Sequence, residues 1–170
     1  MQLTQHKLKK CPKCGGKVHG HGTRKRRVCI MGEKKWCRVR RFRCPHCRKT
    51  FTRLPHFLIP FKHYMAREIE HVLRSILEGC PLTLVSSGAE ESTLRRWQKE
   101  FKRKLQSWAG SLESKASGLF GEYPDLLSIP FHPLKRLEQA LSRLPALPPA
   151  WPVLVKALHL INPSYPLCIV

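Results

Sequence analysis

Cys11-Pro-Lys-Cys14 and Cys44-Pro-His-Cys47 repeat one small design, two thiols three residues apart with proline after the first. A tight turn of that length lets both sulfurs point at one ion while backbone amides donate to the thiolates, and two such turns complete a tetrahedron. The chemistry expected is one structural Zn²⁺ held by Cys11, Cys14, Cys44 and Cys47, with every position filled and none open for water. The alternative is a set of free thiols that pair by chance. Cys29 and Cys37 face each other across the expected turn and could form a second pair, but they read better as small buried apolar residues. His19 and His21 could replace a thiol, although solvated or phosphate-contacting histidines fit better. Cys80 and Cys168 have no partner in sequence and are expected to pack.

The 29 residues between the knuckles must supply the strands that hold them together. They predict a hairpin: one arm over Thr23 to Ile30, a turn at Met31-Gly32-Glu33-Lys34, and a return arm over Lys35 to Arg43 with β-favouring Trp36, Val39 and Phe42. The cations come in runs, Arg24-Lys25-Arg26-Arg27 on the first arm and Arg38, Arg40, Arg41 and Arg43 on the second. Side chains alternate along a strand, so Arg38 and Arg40 share a side with Trp36, Arg41 and Arg43 take the other, and both faces of the hairpin are expected to be basic.

The chain of 170 residues carries 32 Lys and Arg against 11 acids, a formal charge of +21. Residues 1–60 hold 18 basic residues and one acid, Glu33, whereas 61–110 hold nine against six and 111–170 five against four. Such an excess needs a polyanion or counterions beside it, and nucleic acid is the first candidate, gripped mainly at the amino end. No apolar run precedes Cys11, and the longest uncharged stretches, Leu144 to Val155 and Ala157 to Val170, are short and rich in proline. The expectation is a soluble protein of the cytoplasm, associated with the nucleoid, with thiols that serve a metal or a core rather than disulfides.

After Leu54-Pro55 and Ile59-Pro60, apolar residues at Met65, Ile69, Val72, Leu73, Ile76 and Leu77 predict a core-facing helix over Lys62 to Glu78, stopped by Gly79. A short helix over Leu82 to Ser87, a turn at Gly88 and a longer helix from Glu91 to Trp108 should follow. The stripe Leu94, Trp97, Phe101, Leu105 and Trp108 turns Ser92, Arg95, Arg96, Lys99 and Arg103 outward, a cationic face suited to phosphates and guanine edges. The bland reading is a solvated basic face on a core helix.

The order of CPxC, basic hairpin, CPHC, Phe51, Leu54-Pro55, helix, Gly88 turn and Ser92-Thr93-Leu94-Arg95-Arg96-Trp97 resembles the zinc-ribbon and helix-turn-helix front end of bacterial insertion-sequence transposases. It also resembles a family of small stand-alone bacterial proteins of uncharacterised function with the same ribbon and a Leu-Pro-x-Phe-Leu segment, here Leu54 to Leu58. The resemblance covers about residues 8–108 and implies binding to double-stranded DNA, with the outer face of the 91–108 helix in the major groove. The chain departs from the pattern at Glu90 and Glu91, where such motifs place Ser or Thr as helix cap, and in its short first helix.

The expected architecture is therefore a small zinc ribbon at 1–60, a mainly α, helix-turn-helix-like domain at 61–110, and a Pro/Leu-rich carboxyl segment at 111–170 with short helices at Leu134 to Leu144 and Val153 to Ile161. Strand-transfer chemistry needs a carboxylate cluster for divalent ions. This chain has one aspartate, Asp125, and glutamates such as Glu68, Glu70, Glu90, Glu91 and Glu100 that read as solvated ion pairs. The expectation is a non-enzymatic, zinc-dependent DNA-binding protein, a transcriptional regulator or mobile-element accessory. The alternatives are an RNA or ribosome-associated ribbon protein, with Trp36 and Phe42 stacking on bases, and a module tethering a catalytic partner or a second copy through 111–170.

Overall fold

The structure is a computed structural model that describes residues 9–120, 133–142, 151–161 and 167–169. Strands β1 (His19–Ile30), β2 (Glu33–Arg43) and β3 (Thr50–Arg53) form an antiparallel sheet, and a short β4 (Leu167–Ile169) adds to the β3 edge. Helices α1 (Ala66–Leu77), α2 (Glu91–Phe120), α3 (Pro133–Ser142) and α4 (Val153–Ile161) form the second layer, with a 3₁₀ turn at Leu82–Leu84 between α1 and α2.

The hairpin turn is two residues long. Met31 and Gly32 both have positive φ, 49° and 83°, and Ile30 pairs directly with Glu33. Such a turn follows the right-handed twist of the strands and needs a residue like Gly at its second position. The return arm thus starts at Glu33, not at Lys35, and Glu33 and Lys34 belong to the ladder. That register pairs Cys29 with Lys34 and Cys37 with Arg26. The two cysteines therefore lie on opposite faces of the hairpin, and the alternative of a second pair does not form. Both are half-buried, as is Cys80; the side chain of Cys168 lies outside the described residues.

Nor are both faces of the hairpin basic. The segment after β3 folds back over one of them, so that Val28, Val39, Leu54 and Leu58 make a small core with Ile30, Cys37, Phe57 and Met65 against it. The strand β3 had no recognisable pattern in sequence because its four residues, Thr-Phe-Thr-Arg, are too few to show one; it pairs with Arg40 to Arg43.

The helical layer is held by a larger core to which α1 gives Ile69, Val72 and Leu73, α2 gives Leu94, Trp97, Phe101 and Leu112, and α3 and α4 add Leu134, Leu137, Leu154 and Ala157. Each fully buried aliphatic side chain of this set contributes about 1.5–3 kcal/mol. The stop at Gly79 is as expected: its φ is +91°, its N–H donates to Ile76, and the Cys80 N–H reaches the Ser75 carbonyl at 2.9 Å. These are the two bonds that close a helix with a left-handed residue after its last turn. Helix α2 does not end at Trp108. It runs on through Gly110, because its buried stripe continues to Ala109 and Leu112 and meets α3 and α4. The Leu82–Ser87 helix shrinks to one 3₁₀ turn, and α4 spans the expected residues. Asp125 lies outside the described residues. Among the described residues no helix is long and apolar enough to cross a membrane.

Candidate metal centre and nucleic-acid surface

The two knuckles fold alike. The Cys11 N–H donates to the Gly16 carbonyl at 2.7 Å, and the Cys44 N–H to the Lys49 carbonyl at 3.0 Å. In each, the residue after the second cysteine takes the left-handed conformation, Gly15 at φ 72° and Arg48 at φ 56°. Gly16 lies so near the sulfurs that a Cβ there would stand 3.5 Å from Cys14 Sγ and 3.7 Å from Cys44 Sγ. The end of β2 delivers Cys44, and Phe51 of β3, fully buried, packs with Val18 against the cysteines.

All four sulfurs lie within 4.8 Å of one another, with Cys11 to Cys47 at 3.6 Å and Cys14 to Cys44 at 3.5 Å. A tetrahedral metal–thiolate site with bonds of about 2.3 Å has edges of about 3.8 Å, whereas a disulfide would need about 2.0 Å. The thiols also differ in acidity. Burial raises Cys11, but the amide N–H groups of Lys13 and Cys14 and the neighbouring thiols draw it down to about 7. At Cys14 the Gly16 amide lowers the pKa, and burial with the three other thiols outweighs it, raising the value to about 12. Four thiolates at this spacing repel one another, and a cation at their centre relieves that repulsion. The donor set and its geometry fit one metal ion.

Residues directly opposite in an antiparallel pair share a face. Lys25 with Arg38, Arg27 with Trp36, and Thr23 with Arg40 therefore make one outer face of the hairpin, and all six are exposed. Arg24 is exposed on the other side, beyond the small core, and Arg43 is exposed beside the second knuckle. Arg26 is half-buried; its guanidinium donates to the carbonyls of Ile59 at 3.1 Å and Lys62 at 2.7 Å, tying β1 to the link before α1. Arg41 is half-buried with Nε enclosed. Phe42, 6% exposed, cannot stack on a base. His19 and His21 are exposed on β1.

On α2, Ser92, Arg95, Arg96, Lys99 and Arg103 are all exposed, and Lys102, which the sequence did not single out, joins them. Arg95 is paired with Glu91 at 3.0 Å, and Arg96 donates to Thr93 Oγ1 at 3.3 Å. Thr93 and Leu94 N–H groups donate to the Glu90 carbonyl, so the helix opens on backbone bonds with Glu91 in its first turn, where the helix dipole favours an acid.

What brings the two surfaces together was not visible in the chain. Gly88, three residues before α2, lies against the hairpin tip: a Cβ on it would fall 2.2 Å from the Gly32 nitrogen. Glu68 of α1 holds this turn, accepting from the Gly88 N–H at 3.1 Å and from Ser87 Oγ at 3.3 Å. Tyr64, bridged to Cys29 of β1, meets Trp97 of α2 edge to face at 4.9 Å. The hairpin tip and the start of α2 are thus adjacent.

No curated protein and no solved structure matches the chain. One family does, described as "Domain of unknown function (DUF6431)", over residues 11–97. That span runs from the first cysteine of the cluster to the buried Trp97 of α2 and takes in both knuckles, the hairpin, α1 and the Gly88 turn. It is just over half of the 170 residues, and the chain belongs to this family.

Proposed function

We propose that this protein binds double-stranded DNA through a ribbon cross-linked by one structural Zn²⁺ and a cationic helix beside it. Cys11, Cys14, Cys44 and Cys47 would hold the zinc. Four soft thiolates suit it, and with no position left for water its contribution is to the fold. The observation that carries the reading is the seat of the hairpin tip on Gly88, which sets the tip of the basic hairpin beside the start of α2. Lys25, Arg27, Arg38 and Arg40 would grip phosphates, while Arg95, Arg96, Lys99 and Arg103 would enter the major groove. The likeness to transposase front ends supports the same reading and suggests a regulator or mobile-element accessory acting at the nucleoid.

Binding without catalysis is part of the proposal. Glu68 clamps a turn, Glu70 accepts from the Leu154 N–H at the start of α4, Glu91 pairs with Arg95, and Glu100 bridges Lys62 and Lys104. These carboxylates have structural work in the fold.

The test is titration of zinc-loaded full-length protein with a selected duplex, random duplex and structured RNA across a salt series. The expected result is preference for the selected duplex, which Arg95→Glu with Arg96→Glu erases while steeply salt-dependent binding to random duplex persists. Unchanged discrimination in that double variant would remove base reading from α2. Tighter binding to structured RNA would move the assignment to RNA.

A further inference from the structure

Trp36 sits in the middle of β2, yet its indole is 69% exposed on the outer face of the hairpin. An aromatic ring of that size usually finds an apolar partner. Here its neighbours are cations: Arg27 lies directly opposite, and Lys34 and Arg38 are two residues away along the strand on the same face. The one acid of the hairpin, Glu33, is paired with Lys35 at 2.8 Å.

Beside Trp36 runs a cleft of about 480 Å³, within the ~300–1,000 Å³ range of small-ligand sites. It lies where β2 is uncovered, because β3 pairs only with Arg40 to Arg43. The cleft wraps that uncovered edge: Val28, Cys37, Phe57 and Met65 wall it from the covered face, while Trp36, Arg38 and Arg40 line it from the outer face. A ligand complementary to this site has a flat apolar face and carries anionic charge at its edge. A nucleobase on its phosphodiester has that chemistry. In a regular duplex the base faces are covered by their neighbours, so only a base out of the stack can use the indole.

We propose that the outer face of the hairpin binds an unpaired nucleotide, its base stacked on Trp36 and its flanking phosphates on Arg27, Arg38 and Arg40. This rests on the reading that the hairpin faces nucleic acid, and it adds a preference for a single-stranded, frayed or locally opened stretch next to the duplex held by α2. Stacking on an aromatic side chain tolerates any base, so the site contributes affinity for strand state rather than for sequence.

The test uses zinc-loaded full-length protein with four probes: oligothymidylate, an abasic backbone of equal length, a blunt random duplex and polyglutamate. The wild type should bind oligothymidylate about tenfold more tightly than the abasic backbone, with quenching of indole fluorescence that Trp36→Phe lacks. Trp36→Ala should erase the preference without altering duplex affinity, its salt slope or zinc content, and Trp36→Phe should restore part of it. The exposed position makes either variant tolerable to the fold. Equal wild-type binding to oligothymidylate and abasic backbone, or a preference that survives Trp36→Ala, would overturn the stacking site while duplex binding stood. Polyglutamate binding as tight as oligothymidylate would overturn it in favour of an acidic peptide surface. Failure of the wild type to bind any nucleic acid would remove the DNA-binding reading itself, and this inference with it.

Discussion

Arg26 and Arg27 are adjacent in a run of four cations and part company in the fold. The guanidinium of Arg26 is committed to two backbone carbonyls of the link before α1, whereas Arg27 stands exposed opposite Trp36. Their alanine variants should therefore separate. Arg26→Ala loses charge-assisted bonds at a half-buried seam and is expected to cost about 2 kcal/mol in denaturant unfolding. Arg27→Ala should leave stability within about 0.5 kcal/mol and flatten the dependence of log affinity for DNA on log salt by about one. Equal effects on stability would show that the Arg26 bonds do not hold the seam. The same lesson applies at Glu68, whose helical position among cations reads as a solvated ion pair but whose carboxylate holds the Gly88 turn. Sequence shows the type of each charge. Which one is used inside the molecule depends on what the chain folds against it.

Helix α2 and the hairpin meet through a glycine that sequence marks only as a turn. At Gly88 a Cβ would stand 2.2 Å from the Gly32 nitrogen and 2.6 Å from its Cα, both backbone atoms that cannot step aside cheaply. Gly88→Ala is expected to lower stability by about 1–3 kcal/mol and to weaken selection of a preferred duplex by displacing the hairpin from α2. Gly110 provides the contrast. It lies within α2, and a Cβ added there would meet nothing within 4 Å, so Gly110→Ala should stabilise by up to about 1 kcal/mol through helix propensity alone. Thermal midpoints of the two variants check both; a neutral Gly88→Ala would mean that the tip and turn are not in contact.

At the scale of the molecule, the four-cysteine cluster and the helical core join different parts of the chain. The four cysteines join residues 11–14 to the β2–β3 turn, while the core built from Ile69, Trp97, Leu112, Leu137 and Leu154 contains none of them. Structural zinc binds zinc-finger peptides with an apparent free energy on the order of 10–16 kcal/mol that is available to folding. Stripping it with a strong chelator should collapse the hairpin and abolish discrimination between selected and random duplex, with the helical circular dichroism largely kept. A chelated protein that still preferred the selected duplex would show that the ribbon plays no part in presenting α2. Binding of either form should fall steeply with salt, as the charge of +21 requires.

Spacing and period were enough to determine the four-cysteine cluster, the two arms of the hairpin, the core faces of α1 and α2, the stop at Gly79 and the bounds of α4, because each rests on contacts between residues close in sequence or on a repeated motif. The register was a different matter. A two-residue turn instead of four moved Cys37 opposite Arg26, and the ladder alone decides that. The strands β3 and β4 are too short to carry a pattern; β3 forms because β2 offers an edge, and β4 because β3 offers the next. One face of the basic hairpin became a core because residues 54–65 fold over it, Phe42 went inside while Trp36 stayed out, and Gly88 became a contact rather than a bend. Those outcomes depend on which distant segment covers which surface, and burial between segments far apart in the chain leaves no periodic trace in either one.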